Sequence, residues 1–340
     1  MEQERSVVGI DISKDDFHVC LKQAGDRVVI KGTRSFENNT TGFCALLEWC
    51  KKKVKEESGL LFVMEATGVY HEDLNYFLYE HGMSVSVVLA NKIKHFAKSL
   101  NIKTKTDKAD AGMIADFGLE RKPGLWKPMT AGYILLRQLC REYLSLKKDL
   151  VRCKNQRHGL EHAHNTDSFL MNLKEEHMIF LEQSIQSIES RVNTLSTVDK
   201  DLDGRIKKLE SIPGIRRMTI IILLCETNGF NLFHAIRQLV SYAGLDISER
   251  QSGKYKGKSS ISKKGNTYIR QCLYMPAISA CRFNKPINAL YGRILEKNPT
   301  IKRKGIVAGM RKLLILVFVL WTKNESYQGD YQWGKTATVR

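Results

Sequence analysis

"VVGIDISKDDF", Val7 to Phe17, is an apolar run that stops at an aspartate, breaks over a polar turn and then turns apolar again. Apolar runs punctuated by Ser, Lys and Asp read as two strands joined by a tight connection. The first strand is predicted over Ser6–Ile12 with Asp11 at its end, and Phe17–Leu21 continues as the second. Past the turn at Ala24-Gly25-Asp26, Val28–Phe36 reads as a third strand, which makes a meander of three. A helix fits Thr41–Lys55, where Phe43, Leu46, Leu47 and Cys50 fall on one face. The β-rich LLFVME (Leu60–Glu65), a helix around Tyr70–His81 and the strand VSVVLA (Val85–Ala90) follow.

The resulting order, βββαβαβα, predicts an α/β domain over residues 1–128 with a mixed sheet of ribonuclease-H-like order. Strands one and four are neighbours in such a sheet, so Asp11 and Glu65, at the end of the fourth, should meet above one sheet edge. "KTKTDKADAGMIADF", Lys103 to Phe117, adds Asp107 and Asp110 on one face of a helix turn. Acids within about 4–6 Å raise each other's pKa, which makes such a cluster unstable without a cation. Hard oxygen donors at this density suit Mg²⁺ or Mn²⁺, which polarise a phosphodiester and stabilise its leaving oxygen. Lys103, Lys105 and Lys108 are placed to hold the phosphates of a substrate. Asp15 and Asp16, in the turn beyond the first strand, and Asp116, off the Asp107/Asp110 face, are expected to stand outside the cluster.

From Asp107 onward the pattern is mainly helical. Tyr133–His158 and Glu175–Ser211 are long, charged on one side and poor in glycine, with apolar positions such as Ile179, Leu181, Ile185, Ile188, Val192 and Leu195. They predict a coiled-coil-like connector over 129–208, serving as a helical hairpin or as a dimer contact. A helical section over 209–340 ends in the apolar helix Gly305–Trp321, expected in a core. No window is expected to approach the roughly 18 apolar residues of a membrane span. The start, MEQERSVVGI, runs into a strand and not into a signal peptide, so a cytoplasmic protein without a membrane partner is expected. Eight cysteines without a C-x-x-C pair suit reduced, mostly buried thiols. His158, His162 and His164 share a helix without a cysteine beside them and are weak metal candidates.

The net charge of +18 is unevenly placed. Residues 205–340 hold 25 Lys and Arg against 7 Asp and Glu, which accounts for all of it, whereas 1–204 hold 29 of each. Within the neutral part, Ser86 to Arg157 carries 16 cations against 6 acids. Two basic tracts point to a polyanion, and nucleic acid is the expected one.

"RQSGKYKGKSSISKKGN", Arg250 to Asn266, concentrates the later tract. It is not a P-loop, because three residues separate Gly253 from Gly257-Lys258 where the phosphate cradle needs four. Arg250, Lys254, Lys256, Lys258, Lys263, Lys264 and Arg270 face no acid in this stretch. Each phosphate they neutralise should steepen the salt dependence of binding by about 0.9 log units. Ser252, Ser259, Ser260 and Ser262 lie among them, and a hydroxyl beside such cations and a metal-held phosphate can be activated toward phosphorus. Upstream, "LESIPGIRRMT", Leu209 to Thr219, reads as a helix-hairpin-helix turn whose free N–H groups take a phosphate. Arg216 and Arg217 are candidate phosphate contacts there.

The series GIDISK, MEATGVY, TDKADA, SIPGI and YAGLDISERQSGKYKGKSSISKKGN, spread over nearly the whole chain, resembles one family. It is similar to the insertion-sequence transposases with an N-terminal RuvC-like DEDD domain and a C-terminal transposase domain, also called bridge recombinases. The resemblance implies that Asp11, Glu65, Asp107 and Asp110 are the DEDD acids that bind Mg²⁺. It assigns the nucleophile to Ser252, which would form a covalent phosphoserine link to DNA. It also implies a structured noncoding guide RNA that pairs with double-stranded target and donor DNA. A helical dimerisation segment and a tetrameric synapse follow from it, the acids of one subunit completing a site with the serine of another. One departure is that Arg216-Arg217 follow Ile215, where the family often has glycine. The rivals are a hydrolytic nuclease using the same acids with water, a non-catalytic nucleic-acid-binding protein, and an actin-like sugar kinase suggested by GIDIS but lacking a second glycine-rich loop. The Ser86–Arg157 tract is assigned to RNA and the Arg250–Arg270 loop to DNA; no residue names the DNA sequence.

Overall fold

The computed structural model describes residues 5–54, 59–66, 68–101, 106–249, 251–252, 255–257 and 260–329. Its opening hairpin follows from the apolar runs: β1 (Arg5–Ile12) and β2 (Asp16–Ala24) pair antiparallel across a short turn that the Ser13 amide closes on Asp16 O at 2.9 Å. β3 (Val28–Glu37) extends the meander, and α1 (Thr40–Lys53) starts on Asn39, whose side chain accepts from Gly42 N. Then come β4 (Leu60–Glu65), α2 (Glu72–Glu80), β5 (Ser84–Val88), α3 (Ala90–Ser99) and α4 (Asp107–Arg121). The sheet order is β3-β2-β1-β4-β5, with β1, β4 and β5 parallel, so the expected first and fourth strands are neighbours.

The period of two sorts the side chains between two layers. Val8, Ile10 and Ile12 of β1 and Leu60, Phe62 and Met64 of β4 pack with Phe43, Leu46, Leu74 and Leu78 of α1 and α2. Val7, Leu61 and Val63 pack on the other face with Ile93, Phe96, Ile114 and Ala115 of α3 and α4. β4 reads as an unbroken apolar run because both of its faces are covered. These elements make the first of two compact units, residues 1–128; the second is 129–340.

The second unit is built on α5 (Ala131–Glu161) and α6 (Ser168–Val198), an antiparallel pair within one chain. Leu150 and Cys153 meet Met178, Leu181 and Ile185 between them, with ion pairs Arg157–Glu175 and Lys154–Glu182, both at 2.9 Å, alongside. The continuous helix expected over Glu175–Ser211 is broken. Asp199 leaves the helix and caps α7 (Lys200–Glu210), its side chain accepting from Asp201 N and Leu202 N. α8 (Arg217–Glu226), α9 (Ile236–Tyr242), α10 (Thr267–Phe283), α11 (Lys285–Lys297) and α12 (Lys302–Lys323) follow. One core joins Leu136, Cys140, Leu144 and Val192 of α5 and α6 to Ile206, Leu209, Leu223, Leu273 and Leu313, so the structure groups 129–208 with 209–340.

The expectation that no segment approaches a membrane span needs correcting. α12 is long and apolar enough by composition, but Leu313, Leu314, Leu316 and Val317 are buried in the core, which explains the apolarity of that helix. All eight cysteines are free and all but Cys44 are buried.

Candidate active site

Two parallel strands end side by side in acids. β1 and β4 run in register from Ser6–Leu60 to Ile10–Met64, so one step further Asp11 and Glu65 adjoin, on strands about 4.8 Å apart. Alternation puts both on the face of Val7, Gly9, Leu61 and Val63, which α4 covers. α4 comes this close because its contact line is small. A Cβ on Gly9 would lie 2.2 Å from Ala111 O and 2.3 Å from Ala115 N, and one on Gly118 would lie 2.6 Å from Val7 Cγ1 and 2.8 Å from Val63 Cγ2. α4 therefore runs antiparallel to β1, and the turn before Ala111, with Asp107 and Asp110, lies toward the strand end that carries Asp11. Thr106 starts that turn by accepting from Ala109 N at 3.2 Å. Carboxylates in a first helical turn also suit the positive end of the helix dipole.

The charges of these acids act on one another. Burial, then the charges of Asp110, Asp107 and Glu65, push the Asp11 carboxyl up from 3.8 to about 6, while His18 pulls the other way. His18 is the cross-strand partner of Asp11 on β2. The structure thus brings the four sequence-predicted acids to one face and within electrostatic reach. Among the described residues no group of three or more His, Cys, Asp or Glu side chains closes to metal-binding distance. In donor chemistry the set nevertheless fits a hard divalent cation: carboxylates from three segments, one of them reluctant to ionise beside the others.

Lys108 is exposed on the same helical turn; Lys103 and Lys105 lie outside the described residues. Asp116 pairs with Lys22 at 2.7 Å, and Asp16 bonds the Ser13 hydroxyl in the turn. Gly9 and His18 were not singled out from the sequence. A signal for Gly9 is the spacing Ala111, Ala115, Gly118, a seam of small residues that demands an equally small partner.

In the second unit, the basic run is a hairpin and not a plain loop. β6 (Ile247–Ser248) pairs with β9 (Ser260–Ile261) as a stem, and β7 (Gln251–Ser252) pairs with β8 (Tyr255–Lys256) above it, placing Ser252 opposite Tyr255. The side chains of Ser252 and Lys256, and all of Arg250, Lys254, Lys258 and Ser259, lie outside the described residues. The feet of the stem are pinned. Ser262 N donates to Asp246 O and Asn266 N to Tyr242 O, and a Cβ on Gly265 would sit 2.3 Å from Tyr242 O. Asn266 caps α10 and donates from Nδ2 to Oε2 of Glu226 at 2.7 Å. Glu226, 4% exposed, also receives both Nε and Nη2 of Arg141, at 2.7 and 2.9 Å.

Two expected phosphate contacts are taken up inside the fold. Arg270 donates from Nη1 to Ala243 O, Gly265 O and Asn266 O, tying the stem to α10. Arg217 binds Asp203 at 2.5 Å and the Ser196 hydroxyl at 3.0 Å. Arg216, Lys263 and Lys264 remain exposed. The turn Ile212–Ile215 does link two helices, and its Gly214, at φ +101°, packs against Ala280 of α10, where a Cβ would lie 2.6 Å from the amide nitrogen. His158 and His162 touch edge to face at 4.5 Å at the exposed end of α5.

Comparison with known proteins follows this division of chemistry. Residues 8–160 match a family model described as a transposase, of the DEDD kind found in IS110 elements, and residues 206–292 match one described as a transposase of the IS116/IS110/IS902 family. The pilin gene-inverting protein of Moraxella bovis is 29% identical over 327 residues, covering 95% of this chain and 98% of that protein. Its namesake in Moraxella lacunata matches with the same figures. The transposase for insertion sequence element IS1111A of Coxiella burnetii is 21% identical over 357 residues, 95% of this chain and 91% of that one.

Proposed function

The chain belongs to the IS116/IS110/IS902 family of transposases, and from that premise we propose that it cuts and rejoins DNA with Ser252 as nucleophile and a Mg²⁺ site made of Asp11, Glu65, Asp107 and Asp110. The observation that carries the reading is the shared face on which β1, β4 and α4 present the four acids. When bound, the metal supplies Lewis acidity toward a phosphodiester oxygen. The Ser252 hydroxyl gives up its proton and its oxygen bonds to phosphorus; the bond from phosphorus to the departing strand's oxygen breaks, and that oxygen is protonated. Reversal with a different strand end rejoins DNA and frees the serine. Lys108, Arg216, Lys263 and Lys264 hold the backbone, a role their exposure supports.

Target choice in this reading belongs to a structured noncoding RNA that pairs with target and donor DNA, leaving the protein to read shape and backbone. The helical segment 129–208 pairs two copies, two pairs form the synapse, and the work takes place in the cytoplasm. The Moraxella proteins, named for inverting a pilin gene, support site-specific recombination over plain hydrolysis.

The test is a denaturing gel for protein covalently joined to labelled DNA, with the element's ends, its transcripts and Mg²⁺. A slow-migrating adduct that both Ser252→Ala and Asp107→Asn abolish is expected. Metal-dependent cutting that survives Ser252→Ala without an adduct would make this a water-using nuclease.

A further inference from the structure

A cavity of about 570 Å³ opens in the second unit between α11, α12 and the stem of the serine hairpin. Its floor is aliphatic, formed by Leu290, Ile294, Val307 and Ile315. One wall is Ile247 and Ile261, the paired residues of β6 and β9. Arg303, Lys304, Arg311 and Lys312 stand around it, and no acid among the described residues lines it. Burial, and next Arg293, hold the Lys312 ammonium down to about 8, a shift that an incoming anion reverses.

This combination selects a ligand with a bulky apolar part joined to a negative group. Paired DNA offers phosphates but keeps its bases stacked inside. An unstacked nucleotide offers both parts at once, and the volume lies within the range of small-ligand pockets. The mouth is open to it, since Ile247 is 60% exposed and Ile301 45% exposed. The wall is also the stem of the hairpin that carries Ser252, so an occupant bears on the strand pair β6–β9 below the pair to which the serine belongs.

We propose that this cavity receives an unstacked nucleotide of the DNA strand being exchanged, its base on the aliphatic floor and its phosphates on Arg303, Lys304 and Arg311. The proposal rests on the strand-exchange reading above, because exchanging strands requires bases beside the joint to leave their partners. It adds a place for one of them. The cavity would hold the opened strand while its severed end waits for a new partner, and would keep the hairpin seated during that interval.

The test uses the full chain and single-stranded oligonucleotides of the element's end, with 2-aminopurine placed at successive positions, and the matching duplexes. Binding should raise the fluorescence at one position, which marks an unstacked base. Ala308→Trp, which fills the cavity, should abolish the rise and weaken single-strand binding by about tenfold while duplex binding changes by less than about twofold. The double variant Arg303→Ala/Lys304→Ala, at exposed positions, should do the same should the tryptophan variant fail to fold. Fluorescence that is flat at every position, or that persists in both folded variants, overturns the proposal. So does displacement of the bound strand from the cavity residues by an acidic amphipathic peptide that binds tighter than DNA, which would assign the cavity to a protein partner. The adduct gel is run in parallel: an adduct formed normally by the parent chain with fluorescence flat at every position defeats the cavity assignment alone, whereas absence of any Ser252-dependent adduct defeats the mechanism.

Discussion

Asp11 holds its proton to about 6 against an ordinary 3.8, so the folded chain binds that proton more tightly than the unfolded one. The stabilising contribution is therefore complete below about pH 4 and is lost as the pH rises through about 6. Thermal melts across that window should show Tm falling with pH, and Asp11→Asn should flatten the fall. Mg²⁺ should raise Tm more at about pH 7 than at about pH 4, since proton and cation compete for the same oxygens. A slope that survives Asp11→Asn would place its origin elsewhere. The acids themselves were legible in the sequence, because Asp11 and Glu65 each end an apolar run. Gly9 and His18 were not, because their roles depend on which helix lies on which strand and which strands face each other. The partners of Arg217 and Arg270 were hidden for the same reason: a cation in sequence gives no sign of the Asp203 carboxylate or the three carbonyls that it meets in the fold.

At the scale of the element, the serine hairpin is four strands of two residues each, too short to hold themselves, and its order comes from its feet. Asn266 joins those feet to Glu226 and also caps α10. Asn266→Ala should cost about 1–2 kcal/mol through the lost cap. It should speed hydrogen exchange at Ile247 and Ile261 and slow adduct formation, while the pH and Mg²⁺ response of the first unit stays as it was. Unchanged exchange in the stem would mean that the hairpin is held by something other than its feet. Long elements were readable from periodicity: the five strands of the sheet, α5, and α12 within a few residues of its ends. The hairpin was not, since a two-residue ladder has no period. The break between α6 and α7 rests on the single side chain of Asp199, a capping signal outweighed by the apolar pattern on either side of it.

For the whole molecule, charge is the property that the sequence displayed most openly, with the excess confined to residues 205–340. Its use divides according to the fold. Lys263→Ala and Lys264→Ala, which remove exposed cations, should each lower the slope of log affinity for DNA against log salt by about 0.9. Arg217→Ala should leave that slope in place and lower Tm, because it breaks an internal ion pair. Equal slope changes from all three would mean that Arg217 leaves Asp203 to reach DNA. The division into units was less legible. The segment 129–208 reads as a connector because it is long and amphipathic, and in the fold its Leu136, Cys140, Leu144 and Val192 lie in one core with Leu209, Leu273 and Leu313. That shared core bears on ancestry. The stretches matched by the two family models, 8–160 and 206–292, divide α5 from the helices it packs on. A gene exchange at either of those limits would join apolar faces with different histories, so lineages that shuffle their parts should keep α5 with the C-terminal helices and inherit residues 129–340 as one block.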